Sequence, residues 1–261
     1  MVKRNWLEQI GGFDDVHDVI DDWDAWLRLS YAGCEMDWLE EPVCEYRIHE
    51  TNMIRNTVKL RDRRLAMLGY FFAQNDLPEH LVSLKLKAVA LTHLQASCLE
   101  YGLGLVAEAQ TDLARAMNLE PDLLSNGGDY ILQVLCDQAQ RPLFHDSTAV
   151  VNCALANLPP EAAGLPRIQQ RGRARLALSR SFKAAQQEDW ITVRRVLPEA
   201  LVDDPKWILN RGVWSLGATA LLGPAFMNWA RVFLHRGRRP AKTSQGASTK
   251  MNGECTNGEQ N

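Results

Sequence analysis

Apolar positions near the start of the chain fall at helical intervals. Trp6, Leu7 and Ile10 recur at that spacing ahead of Gly11-Gly12-Phe13-Asp14-Asp15, a turn signal in which glycines can take positive φ and aspartates can cap their own backbone. Residues 21–33 read as a helix, with Trp23, Trp26, Leu27 and Ser30 on one stripe and Asp24, Arg28 and Tyr31 on another. Asp21 suits its N-cap, Asp24 can close a capping box, and Gly33 suits the left-handed C-terminal position. Asp21 and Asp22 then lie at the positive end of the helix dipole. Residues 35–39 are apolar-rich and Glu40-Glu41-Pro42 is a turn. Residues 43–49 alternate as a strand does: Cys44, Tyr46 and Ile48 face one way, while Glu45, Arg47 and His49 share the other face with Val43.

After Val58 the period-two pattern does not return. Residues 60–75 predict a helix stopped at Asn75-Asp76-Leu77-Pro78. Farther on, Ala109-x3-Leu113-x2-Ala116-x4-Pro121 and Val193-x3-Leu197-x2-Ala200-x4-Pro205 share a spacing, that of the second helix and closing proline of a tetratricopeptide unit. The two prolines are 84 residues apart, which is not a multiple of the usual period of roughly 34. The expectation is a degenerate array of helical hairpins with an irregular middle, its loops marked by Asn126-Gly127-Gly128-Asp129 and by Pro159-Pro160 through Pro166. Such an array either binds a protein along its concave face or simply supports what precedes it. Arg171, Arg173, Arg175 and Arg180 read as a solvated helix face, and His80, His93 and His145 form no local ligand spacing.

Charge divides the chain. Of 261 residues, 29 are Lys or Arg and 32 are Asp or Glu, net −3. Residues 1–58 hold 5 basic and 13 acidic side chains, net −8, and residues 59–261 hold 24 and 19, net +5. A pI near 6.1 argues against a nucleic-acid partner. Six cysteines without a CxxC pair or zinc spacing, and a start without an apolar signal segment, lead to the expectation of a reduced, cytoplasmic protein. Residues 212–230 are uncharged but too interrupted by Gly212, Gly217, Gly223 and Pro224 for a membrane span. Trp229, Val232 and Phe233, followed by Arg236, Arg238 and Arg239, suit either peripheral contact with an anionic membrane or a last packed helix with a basic end. Residues after Pro240 have the composition of a disordered tail.

The acidic opening either lies on a solvated surface or gathers carboxylates for a cation or a proton transfer. Each candidate also has a structural role open to it. Acidic pairs at a helix start serve as caps, a lone His at a strand end bonds locally, and Trp23 and Trp26 suit core anchors. Taken in order, however, Gly11-Gly12-Phe13-Asp14, Asp21-Asp22-Trp23-Asp24, Trp26-Leu27-Arg28-Leu29 and Tyr46-Arg47-x-His49, followed by Asn52, form a connected pattern. It resembles the carboxy-terminal half of the catalytic domain of family 2 inverting glycosyltransferases, over about residues 3–58.

The resemblance implies an α+β fragment, the acceptor-side half of a nucleotide-diphospho-sugar transferase fold, over residues 1–58. A mainly α, tetratricopeptide-like domain over 59–235 and a basic, polar, disordered tail over 236–261 follow. By the resemblance Asp22 is the general base for the acceptor hydroxyl. Gly11, Gly12, Phe13, Asp14, Asp21 and Trp23 line the acceptor side, Asp21 standing where the family more often has Glu. Arg47 and His49 lie near the donor diphosphate, and His49 near its divalent cation, Mn or Mg. The family places a nucleotide-binding half with an Asp-x-Asp motif ahead of the Gly-Gly-Phe-Asp turn, and only ten residues precede that turn here. The expectation is therefore a truncated or split transferase, inactive alone, that uses a nucleotide sugar and a glycan, lipid-linked or protein acceptor. The alternative is a non-catalytic helical-repeat interaction module with a relic transferase segment and a protein partner.

Overall fold

The computed structural model describes residues 2–223 apart from 15–19, 38, 46, 48, 50, 51 and 163. The expected membrane-facing and disordered stretches beyond 223 lie outside them. Eleven α-helices are described: α1 (Arg4–Gln9), α2 (Asp21–Tyr31), α3 (Thr57–Phe71), α4 (Glu79–Val82), α5 (Lys85–Leu103), α6 (Val106–Leu119), α7 (Ser125–Ala139), α8 (Ser147–Ala156), α9 (Ile168–Gln186), α10 (Trp190–Asp203) and α11 (Arg211–Leu222). One compact unit covers Met1–Gly217, and a second begins at Ala218, within α11. No described helix is long and apolar enough to cross a membrane.

The architecture is all-α, which corrects the expected α+β fragment. Among the described residues there is no strand, and those between 43 and 49 have no regular structure; Tyr46 and Ile48 lie outside the described set. A strand is held by hydrogen bonds to a neighbour, and a lone one is not stable in water. Alternation supplied one candidate strand and no partner, and Val43 is 74% exposed.

The helix at residues 21–31 forms where its pattern predicts, with two differences. Ile20 occupies the N-cap position and Asp21 is the first helical residue, with no side-chain cap. Asp24, instead of closing a capping box, turns to Arg28 one turn later (2.7 Å). The buried face is Ala25 and Leu29 beside Ile20, whereas Trp23 is 55% and Trp26 45% exposed. The two tryptophans are therefore not core anchors.

From α3 onward helices stack in succession. α3 packs on α5, α5 on α7 and α7 on α9, with α8 against all of the last three. Leu94, Met117, Leu132, Val151 and Leu155 are at the centre of the core. Gly172 lets α8 and α9 approach, since a Cβ there would lie 2.7 Å from a Leu155 methyl. Helices α5, α7, α9 and α11 begin at residues 85, 125, 168 and 211, intervals of 40, 43 and 43. The array is thus a hairpin repeat longer than the tetratricopeptide period, and the irregular middle is the hairpin α7–α8.

The first and third hairpins coincide at an offset of 84 residues. α5 and α9 have 19 residues each, and α6 and α10 have 14 each. Leu105 donates its N–H to the Glu100 carbonyl at 2.9 Å, and 84 residues later Asp189 donates to Ala184 at 2.9 Å. Ala90, Leu94, Ser97, Ala109, Leu113 and Ala116 are buried, as are Ala174, Leu178, Ser181, Val193, Leu197 and Ala200. The turn between the helices is left-handed in both, at Gly104 (φ 78°) and Glu188 (φ 58°).

The two turns make opposite demands on side chains. A non-glycine residue in the left-handed region costs about 1 kcal/mol or more. Glu188→Gly is expected to stabilise the chain by about 1 kcal/mol and Gly104→Ala to destabilise it by a similar amount, read by urea unfolding.

Candidate functional site

The motifs of the first 58 residues form two local structures. In the first, Gly11 and Gly12 take φ near 80° and end α1, their N–H groups bonded to Glu8 and Leu7 carbonyls. Arg28 donates to the Ile10 carbonyl at 2.6 Å while Asp24 orients its guanidinium. The Gly-Gly-Phe-Asp turn is therefore tied to α2 by the arginine of Trp-Leu-Arg-Leu, and Phe13 is left exposed with Asp14 half-buried beside it. In the second, the Asn52 side chain accepts from the His49 N–H and donates to the Arg47 carbonyl at 3.2 Å. Asn52 thus ties His49 to Arg47, and both Arg47 and His49 are exposed.

Asp21, Asp22 and Trp23 are exposed at the start of α2. The Asp22 carboxylate accepts the Trp23 N–H at 2.8 Å. The Trp23 ring lies 5.2 Å beneath the Arg64 guanidinium of α3. Burial and the charge of Arg141 lower the Arg64 pKa from its ordinary value, while Asp22 opposes them. Beside α2, a cleft of about 660 Å³ runs between Trp6 and Trp26 and is floored by Gly33 to Asp37, including Glu35 and Asp37. Aromatic faces with nearby carboxylates suit a ligand that has an apolar ring face and hydroxyl donors. Among the described residues no group of three or more His, Cys, Asp or Glu is placed to hold a metal ion. They offer no ligand set for the divalent cation expected beside His49.

A second polar centre lies inside the helical array. Glu100 of α5 and Asp112 of α6 are both 0% exposed. Asp112 accepts from Arg61 of α3 at 2.6 Å and meets the His93 ring nitrogen Nδ1 at 2.9 Å. Glu100 lies 3.6 Å from the same Arg61 nitrogen, and among the described residues no donor bonds either of its oxygens. Burial, then the charge of Asp112, push the Glu100 carboxyl up to about 7, where its proton can be shared with Asp112. Burial would raise Asp112 too, but hydrogen bonds from His93 and Arg61 outweigh it and hold that carboxyl below its ordinary range. His93, which has no local ligand spacing, belongs to this centre. The 84-residue comparison would have marked it, because the equivalent position is Ala177.

The arginines of α9 are not a uniformly solvated face. Arg171 is buried, bonded to the Asn126 and Gly127 carbonyls and to Asp129. A Cβ on Gly127 would lie 2.0 Å from the Arg171 guanidinium. Arg175 covers the Trp207 ring at 5.6 Å, and Arg180 donates to the Thr148 hydroxyl at 3.2 Å. A cleft of about 1040 Å³ opens between α6, residues 155–165 and the start of α9. No family model, curated protein or solved structure matches the chain.

The buried carboxyls give stability a defined pH dependence. Glu100 binds its proton more tightly folded than unfolded, so its contribution is full below about 4.5 and is lost as pH rises through about 7. Asp112 acts oppositely and loses its contribution only on acidification. Measured against Glu100→Gln, the melting temperature of the native chain is expected to fall by several degrees between pH 5 and 8; a constant difference would contradict this.

Proposed function

We propose that residues 1–58 are the acceptor-facing part of an inverting glycosyltransferase, carried on a helical-repeat scaffold. The observation that carries the reading is the order of the four motif elements together with their interlocking: Arg28 holds the glycine turn on α2, and Asn52 ties His49 to Arg47. The exposed Asp22 at the start of α2 and the cleft between Trp6 and Trp26 support an acceptor site for a sugar.

In this reading Asp22 takes the proton of an acceptor hydroxyl as that oxygen bonds to the anomeric carbon. The bond from that carbon to the diphosphate breaks on the opposite face, with inversion. Arg47 and His49 supply positive charge or hydrogen-bond donors to the departing diphosphate. Gly11 to Asp14, Asp21 and Trp23 position the acceptor. The nucleotide itself, and the Mn or Mg that accompanies it, are held by a further nucleotide-binding part. A cytoplasmic setting, with or without membrane contact through Arg236, Arg238 and Arg239, goes with this reading. The cleft beside α6 and α9 favours a second one, in which the array binds a protein and the first 58 residues are a relic.

Saturation-transfer NMR of the chain with a mixture of oligosaccharides separates the two. The transferase reading predicts transfer to a glycan, reduced about tenfold in Trp23→Ala. Asp22→Asn should leave unfolding stability within about 0.5 kcal/mol and lower turnover in the completed enzyme roughly a hundredfold or more. Absence of any glycan signal, or full turnover in Asp22→Asn, would remove the assignment.

A further inference from the structure

The two coincident hairpins differ in one respect that their backbones do not require. At the 84-residue offset His93, Glu100 and Asp112 correspond to Ala177, Ala184 and Val196, and all six positions are buried. The third hairpin keeps the same helix lengths, left-handed turn and hydrogen bonds with an apolar core there. Withdrawing two carboxylates from water is costly, and apolar replacements of buried ion pairs are often neutral or stabilising. The polar set in the first hairpin therefore has a purpose other than holding α5 to α6.

That purpose is visible on α3. Of its 15 residues Thr57, Met67 and Phe71 are buried and Leu60, Leu65 and Leu68 half-buried, an apolar contact that polar attachments supplement. Arg61 enters the pocket between α5 and α6 with its side chain 15% exposed, bonded to Asp112 and braced by Asp62 at 2.9 Å. Arg64 donates to Gln95 of α5 at 3.0 Å. On its other side α3 holds the N-terminal segment: Trp23 lies under Arg64, Tyr31 meets Phe71 edge to face at 5.8 Å, and the Tyr31 hydroxyl donates to the Asp76 carbonyl at 3.2 Å.

We propose that His93, Glu100 and Asp112 form a receptor for the Arg61 guanidinium, a charge latch that fixes α3, and with it the segment bearing Asp22 and Trp23, in one position on the repeat array. The planar guanidinium selects one seat: its Nη1 lies 2.6 Å from the Asp112 carboxylate, which the His93 ring nitrogen meets at 2.9 Å on its other oxygen, and 3.6 Å from Glu100. An apolar strip would allow α3 to slide by a turn, whereas a displaced Arg61 deprives the buried Asp112 carboxylate of its nearest cation. This inference does not depend on the transferase reading.

Hydrogen exchange by mass spectrometry on the full chain tests it. In Arg61→Leu/His93→Ala/Glu100→Ala/Asp112→Val, which gives the first hairpin the core of the third, residues 85–119 should keep their protection while residues 57–71 exchange roughly tenfold faster or more. Wild-type protection of 57–71 in that variant would overturn the latch, because the remaining packing would suffice. If the fourfold variant does not fold, Arg61→Gln decides: the latch predicts faster exchange at 57–71, and unchanged exchange there refutes it.

Discussion

Two carboxylates withdrawn from water beneath a single arginine set the terms for the rest of the structure. Glu100 and Asp112 have no access to solvent, and a buried charge is tolerated only when it is neutralised or paired. Asp112 is paired, by Arg61 and His93, and Glu100 is driven toward its protonated form. The nearest cation of the set comes from α3, outside the hairpin, while Arg115 of α6 lies farther off at 3.9 Å, so the seating of α3 completes the pairing of Asp112. Folding of the array and placement of the N-terminal segment are thereby linked through one side chain.

The internal repeat shows what the fold itself requires. Alanine and valine serve at positions 177, 184 and 196 of a hairpin with the same backbone, so the polar core of the first hairpin is an addition to the scaffold. Arg171 has a similar role between α9 and α7, where it binds the Asn126 and Gly127 carbonyls of a left-handed turn and lies where a Cβ on Gly127 would stand. In both places a long cation satisfies groups that the helices leave unpaired. The scaffold then presents, through α3, a helix whose acidic start and two exposed tryptophans take no part in the core.

Much of this was legible in the sequence, and the failures have physical causes. The spacing of Ala109, Leu113, Ala116 and Pro121, repeated at Val193, Leu197, Ala200 and Pro205, marks the buried face of α6 and α10 because small and apolar residues one turn apart must face a neighbouring helix. The turn at Gly11-Gly12 and the helix at 21–31 were legible for similar local reasons. Alternation at 43–49 misled, since a strand depends on a partner that periodicity cannot supply. Trp23 and Trp26 misled because size and helical spacing do not say which stripe is covered; Ala25 and Leu29 take the buried side. The polar centre was invisible locally, since Arg61, His93, Glu100 and Asp112 come from three helices. Only comparison of the two hairpins position by position exposes it.

The claim that one charge network joins the N-terminal segment to the array is tested most directly by a double-mutant cycle on Arg61 and Asp112, using Arg61→Leu, Asp112→Val and the pair, with stability from urea unfolding. A coupling energy of about 2 kcal/mol or more is expected, in the range found for buried, contacting residues. Additive effects, with a coupling near zero, would show that Arg61 and Asp112 act independently and that α3 is held by other contacts.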